Sequence, residues 1–285
     1  MSAVLFPHSP PQYPREGEAS FARADFDRVR QLIHRRAGIH LHEGKRAMVY
    51  SRLSRRMREV GHDSISSYLE ALEQGGGAVG DLAWQEFVNC LTTNLTSFFR
   101  EDHHFALLAT ELIQRQARRL RIWCNAASTG EEPYSLAMTV LEALGARADV
   151  RILCSDIDTQ VLATAERGVY AADARGLSAQ RLRRHFMRGT GPNQGLIRIK
   201  PELKQLLEFR AFNLMDAQWR LGEPFDIVFC RNVMIYFDHA TQRRVLERMH
   251  RAMVAGGLLF AGHSENFSGA KDLFRLRGKT VYERV

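Results

Sequence analysis

The sequence of 285 residues has only four cysteines, Cys90, Cys124, Cys154 and Cys230, with no C-x-x-C spacing among them. A zinc site built on paired ligands is disfavoured on that ground. The last three fall on expected core strands, where a thiol acts as a small apolar group. No apolar run approaches the length that spans a bilayer, and the opening residues, M-S-A-V-L-F-P-H-S-P-P, lack a signal-peptide pattern. The expectation is a cytoplasmic protein without a metal site or membrane insertion. Acids are the scarcer charge: 32 Asp and Glu face 40 Lys and Arg, a formal net charge of +8. Such an excess calls for an acidic partner, yet charge alone does not rank nucleic acid, anionic lipid and acidic protein.

Also missing is the G-x-G-x-x-G turn that brings backbone N–H groups up to a pyrophosphate. What stands in its place is the segment Arg121 to Ser135, RIWCNAASTGEEPYS, followed at Val150 to Asp158 by VRILCSDID. The apolar runs Ile122-Trp123-Cys124 and Leu153-Cys154 suit parallel strands covered on both faces. Between them, Pro133 to Leu144 has helical spacing at Leu136, Val140 and Leu144, with Pro133 in the first turn. The unit predicts a nucleotide-type crevice at the strand ends, where an acid after the second strand bonds ribose hydroxyls. Glu131 and Glu132 would repel a phosphate, whereas a cationic ligand with an adenosine ribose suits the turn. S-adenosylmethionine has both properties. The plainer alternative is that the two acids only complement the helix dipole.

Residues 1–20 are rich in Pro, Ser and Glu and read as a disordered tail. Helical patterns from Phe21 to about Glu73 predict a small all-helical domain over 21–80, closed by the glycine-rich hinge Gln74 to Gly80. A catalytic domain is expected over 81–285. It is α/β, a doubly wound Rossmann-like sheet, because strands and helices alternate from Leu120 onward and buried strands recur near Phe225 and Gly256. An inserted antiparallel β-subdomain is predicted at about 184–213, where Gly189, Gly191, Pro192, Asn193 and Gly195 read as hairpin turns. Within the helical domain, Val49, Leu53, Met57 and Val60 share one face of a helix over 43–60. Lys45, Arg52, Arg55 and Arg56 line the adjoining face. That stripe is either a solvated surface or a docking face for an acidic helix or polyanion.

Methyl transfer from a sulfonium is an in-line displacement, so the protein's task is to hold the nucleophile against the methyl carbon. An exocyclic base amine would call for the D/N-P-P-Y/F tetrapeptide after the fourth strand, which is absent; Arg231, Asn232 and later Tyr236 stand there. A carboxylate nucleophile is already ionised at neutral pH and needs no general base. An arginine to orient it and a tyrosine hydroxyl to bond it would suffice. Thr92 to Arg100, TTNLTSFFR, supplies an arginine, with Asn94 and Thr96 as further polar partners. Read plainly, the same residues end a helix and expose a charge.

The motifs TNLTSFFRE from Thr93, AASTGEEPYS from Ala126, SDID at Ser155 to Asp158, FCRNVMIYF from Phe229 and FAGHSENF from Phe260 closely resemble the bacterial chemotaxis receptor methyltransferases, the CheR family. The resemblance covers the chain from about residue 21. It implies a class I methyltransferase fold and transfer of a methyl group from S-adenosylmethionine to glutamates of membrane chemoreceptors, without nucleic acid as substrate. It also implies cofactor contacts from Asn94, Thr96, Arg100, Glu131, Asp156, Asn213, Leu214, Arg231 and Asn232, with Arg100 and Tyr236 nearest the transferred methyl. Lys45, Arg52, Arg55 and Arg56 would meet the cytoplasmic domain of the receptor. Gly189, Gly191, Gly195 and Arg198 resemble the β-subdomain of members that bind a receptor's C-terminal peptide.

Overall fold

The computed structural model describes residues 21–115, 119–146 and 148–285, so the tail expected at 1–20 lies outside the described residues. Four helices come first: α1 (Arg23–Ala37), α2 (Arg46–Glu59), α3 (Ile65–Gln74) and α4 (Gly77–Leu91). The chain continues through α5 (His103–Gln114), β1 (Leu120–Cys124), α6 (Glu131–Leu144), β2 (Val150–Asp156) and α7 (Thr159–Arg167). Next come β3 (Val169–Ala171), α8 (Ala179–His185), β4 (Phe186–Arg188), β5 (Leu196–Ile199) and α9 (Pro201–Lys204). The last elements are β6 (Leu207–Ala211), β7 (Phe225–Cys230), α10 (His239–Ala252), β8 (Met253–Ala261), β9 (Phe274–Gly278) and β10 (Val281–Arg284).

The main sheet runs β6-β2-β1-β7-β8-β10-β9. Its first five strands pair in parallel, while β10 pairs antiparallel with both β8 and β9. Successive strand residues feed opposite cores. Ile122, Ile227 and Phe229 enter one layer with α5 and α6, while Trp123, Val228 and Leu259 enter the other with α10. Both faces are therefore covered, which is why these strands read as unbroken apolar runs. From β1 the chain moves to β2 on one side, and β7 occupies the other side. Such a reversal opens a crevice at the carboxyl ends of β1, β2 and β7.

The turn glycine of the βαβ unit has two reasons to be glycine. Gly130 has φ of +100°, and a Cβ there would lie 2.6 Å from the Tyr170 hydroxyl oxygen. Asp158 caps α7 by accepting from the backbone N–H of Gln160 at 2.9 Å.

Two expected boundaries move. Phe87, Val88 and Leu91 of α4 are buried with Phe26, Leu32, Val49 and Leu69, so the helical unit runs to Leu91 and not to residue 80. Gly75 ends α3 as expected, but Gly77 and Gly80 lie inside α4; burial of α4's far end outweighs glycine's poor helix propensity. The small sheet is β3-β5-β4, so the inserted subdomain starts at Val169, well before 184, and ends near Ile199. Leu207 to Ala211, taken as part of that insertion, forms the edge strand beside β2. An edge strand carries the alternating pattern of an antiparallel strand, and the three residues of β3 are too few for any period to register.

Trp123 is fully buried, stacks against Phe225 with ring centroids 5.4 Å apart and donates from Nε1 to Ser155 Oγ at 2.9 Å. Trp123→Ala should destabilise the fold by about 3–5 kcal/mol in urea unfolding monitored by circular dichroism.

Candidate active site

A cavity of about 270 Å³ opens at the carboxyl ends of β1, β2 and β7. Asn94, Thr96, Arg100, Asp156, Asn213, Leu214, Arg231, Asn232 and Tyr236 all line it. These residues come from segments far apart in the chain, and the crossing of the sheet brings them together.

Asp156 ends β2 with 8% of its surface exposed. Its carboxylate accepts from the backbone N–H of Ser128 at 2.8 Å and of Asp158 at 3.0 Å. Burial raises its pKa to about 6, against those hydrogen bonds. Asp158, two residues on, is turned away from the crevice. Besides capping α7 it accepts from the Thr92 hydroxyl at 2.6 Å and the Asn94 amide at 2.7 Å.

The second half of the wall is built on β7. Asn232 holds φ of +59°, and Glu265 accepts the backbone N–H groups of Asn232, Val233 and Met234 at 3.0, 3.0 and 2.8 Å. Glu265 is 5% exposed, and its role as a backbone anchor was invisible in the sequence. Arg231 points inward to Glu132 and Glu101. Burial opposes the Arg231 charge, but the two carboxylates overcome it and raise its pKa. Glu101 itself, pushed up by burial, is held down at about 2 by His263 and Arg231.

Two adjacent acids part company. Glu132 lines the cavity and accepts from Arg231, while Glu131 is outside the lining and accepts from the Thr129 hydroxyl at 2.6 Å. Asn213 faces the cavity, but its amide donates to the Arg36 carbonyl at 2.7 Å, tying α1 to the sheet. The helical unit also walls the site. His40, His42, Lys45 and Met48 line the same cavity, and the His40 N–H donates to the Tyr236 carbonyl at 2.7 Å.

The sequence profile described as CheR methyltransferase, SAM binding domain, matches residues 94–283, and the profile of the CheR methyltransferase all-alpha domain matches residues 24–92. The chain belongs to the CheR methyltransferase family. It is 51% identical over 261 residues to the chemotaxis protein methyltransferase of Salmonella typhimurium, covering 91% of this chain and 89% of that one. With chemotaxis protein methyltransferase 2 of Pseudomonas aeruginosa it shares 52% over 270 residues, covering 93% and 94% of the two chains. A probable chemotaxis protein methyltransferase of Rhizobium etli is 40% identical, over 88% of this chain and 96% of its own. The join between the two profiles falls just after α4, where the core of the helical unit ends.

For a CheR methyltransferase binding S-adenosylmethionine, the cavity's chemistry fits. It offers the buried carboxylate of Asp156, with neither a glycine-rich phosphate cradle nor a free arginine fork at the first turn. The basic stripe on α2 is less uniform than its spacing suggested. Lys45 lines the cavity, and Arg52 donates to the carbonyl of Thr92 at 2.5 Å. The Arg56 side chain is 25% exposed and 3.7 Å from Glu59. Arg55, whose side chain is 81% exposed and paired with Glu59, and Lys45 are the exposed members of the four. In the β-subdomain, a Cβ on Gly189 would lie 2.0 Å from the Asn193 carbonyl oxygen, Gly191 and Gly195 hold φ of +55° and +85°, and Arg198 is exposed on β5.

The Asp156 carboxyl has a raised pKa, about 6 against 3.8 in its unfolded reference, so between those values the folded state holds the extra proton. Raising the pH across that window therefore costs the unliganded fold stability, whereas hydroxyl donors of a ligand favour the ionised form. S-adenosylhomocysteine affinity, measured by calorimetry from pH 5 to 8, should rise through pH 6 and then level off. Asp156→Asn should flatten that profile, and Asp156→Ala should weaken binding by about 1–3 kcal/mol.

Proposed function

We propose that this chain methylates glutamate side chains on the cytoplasmic domains of chemoreceptors, forming glutamyl methyl esters. The observation that carries the reading is the meeting of Asp156, Arg100 and Tyr236 on one cavity between a sheet's switch point and a helical wall. S-adenosylmethionine, when bound, supplies the electrophilic methyl. Asp156 accepts from the ribose hydroxyls, and Asn94, Thr96, Asn213, Leu214 and Asn232 hold the rest of the molecule. Glu131 supports this wall through the turn, since its carboxylate holds Thr129.

The acceptor glutamate needs no base, because a carboxylate is ionised at neutral pH. Arg100 orients it and the Tyr236 hydroxyl bonds it, which is a positioning task worth several orders of magnitude when the geometry is held. The protein works in the cytoplasm, where these receptor domains lie; among the described residues no helix is long and apolar enough to cross a membrane. Net positive charge draws the enzyme to acidic receptor surface, with Arg55 on the outer face of α2 and Lys45 at the cavity. The receptor's C-terminal peptide adds as a strand to the edge of the β3-β5-β4 sheet, the mode in which backbone bonds give affinity and side-chain pockets give selectivity. Gly189, Gly191 and Gly195 shape the β4–β5 hairpin for it, and Arg198 meets its carboxylate.

Incubation with methyl-labelled S-adenosylmethionine and receptor cytoplasmic domains should place alkali-labile label on receptor glutamates. Label that appears only on added nucleic acid, or none on receptor, refutes the assignment. Arg55→Glu should slow receptor methylation while S-adenosylhomocysteine affinity stays unchanged. Arg52→Ala should weaken that affinity by about 1 kcal/mol, because the Thr92 carbonyl loses its donor beside Asn94.

A further inference from the structure

We propose that Arg231 is a positioning residue for methyl transfer, its guanidinium fixing the backbone that carries Arg100, and that its side chain is not a cofactor contact. The inference rests on the placement of Arg100 at the transfer site argued above.

The Arg231 side chain is 1% exposed and lies between two carboxylates that are themselves largely covered, Glu101 at 13% and Glu132 at 11%. One terminal nitrogen, Nη1, donates to Glu132. The other, Nη2, lies 3.2 Å from Glu101 Oε2 and donates to the carbonyl of Arg100 at 2.5 Å. Both terminal nitrogens are thus committed to protein groups, and one of these is the main chain of Arg100 itself. Its charged end also sits 5.7 Å from the Phe105 ring centroid.

The backbone at that place is unusual. Phe99 and Glu101, the residues on either side of Arg100, hold φ of +50° and +55°, the left-handed region where a side chain is strained. Such residues cost about 1–3 kcal/mol each and persist only where their surroundings over-determine them. The surroundings here do so. The Phe99 N–H donates to Ser135 Oγ at 3.0 Å, the Phe99 ring packs on Phe105 at 5.0 Å, Arg231 holds the Arg100 carbonyl, and Glu101 forms an ion pair with Arg231 and a hydrogen bond with His263.

Buried ion pairs seldom add net stability, because desolvation offsets most of the attraction. An arrangement of two acids around one arginine is therefore poorly explained as a fold stabiliser. It is well explained as a device that fixes one geometry, since a planar fork satisfies several acceptors at set directions. Lysine keeps the charge but offers a single point donor, which cannot span Glu101, Glu132 and the Arg100 carbonyl together.

The test is a double-mutant cycle in the full chain, with receptor cytoplasmic domain and labelled S-adenosylmethionine, reading kcat, KM, S-adenosylhomocysteine Kd and Tm for R100A, R231K and the pair. Arg231→Lys should lower kcat about tenfold to a hundredfold while Kd changes less than about threefold. In the Arg100→Ala background the same change should cost less than about twofold more, because its effect passes through Arg100. Losses that multiply in the double variant, a Kd that rises as kcat falls, or a wild-type kcat in R231K overturn the proposal. An Arg100→Ala enzyme with normal kcat overturns the role of Arg100 and this inference together, and the single variant identifies that case. Should R231K fail to fold, Glu101→Gln, at the less buried end of the cluster, is expected to show the same kcat loss and the same non-additivity with Arg100→Ala; multiplicative losses there count equally against it.

Discussion

The segment from Thr92 to Glu101 has no regular secondary structure beyond a turn, yet it carries Asn94, Thr96 and Arg100 into the cavity. Its position depends on buried charge at both ends. At the start, Asp158 takes the Thr92 hydroxyl and the Asn94 amide. At the end, Arg231 takes the Arg100 carbonyl. Both anchors stand on strand ends of the main sheet, so the loop inherits the rigidity of β2 and β7. Loops hold their place only through such contacts, because their own backbone groups lack a ladder to bond.

Strain marks the same region. Among the described residues, six that are not glycine have positive φ, and Phe99, Glu101, Ser128 and Asn232 are four of them. Each is held by a buried group: Ser135 for Phe99, Arg231 for Glu101, Asp156 for Ser128 and Glu265 for Asn232. A basic chain thereby keeps a set of acids buried around its crevice. Asp156, Asp158, Glu132 and Glu265 are all under 10% exposed, and backbone N–H groups or one arginine balance them. The buried Asp156 carboxylate in this wall suits a ligand that brings hydroxyl donors.

The helical unit is part of that crevice. It ties to the sheet through an isolated bridge between Ile39 and Phe237, the Asn213 amide on Arg36 and a 2.7 Å contact of His34 with Asp238. A wall made by α1 and the start of α2 puts residues of the helical unit, Lys45 among them, on the cavity itself. The exposed rim residues Leu95, at 81%, and Ile235, at 48%, complete the mouth between the two parts.

Much of this was legible in residue order. Apolar runs at Ile122 and Leu153, one glycine in the first turn, acids after both strands and the CheR motifs specified the βαβ unit, the cofactor class and the family. Strand alternation and turn chemistry are local, and local patterns survive in a sequence. Tertiary structure decided the rest. Glu131 and Glu132 are neighbours on paper, but one step along a helix turns a side chain by about 100°, so Glu132 meets Arg231 while Glu131 accepts from Thr129. Arg52 looked like a docking charge until the fold set it against Thr92, 40 residues away in sequence. Arg231, a cofactor candidate on paper, stands on the cavity with its fork turned to Glu101 and Glu132. No periodicity encodes contacts across such separations; they exist only once the sheet has closed and the low-dielectric interior obliges every charge to find a partner.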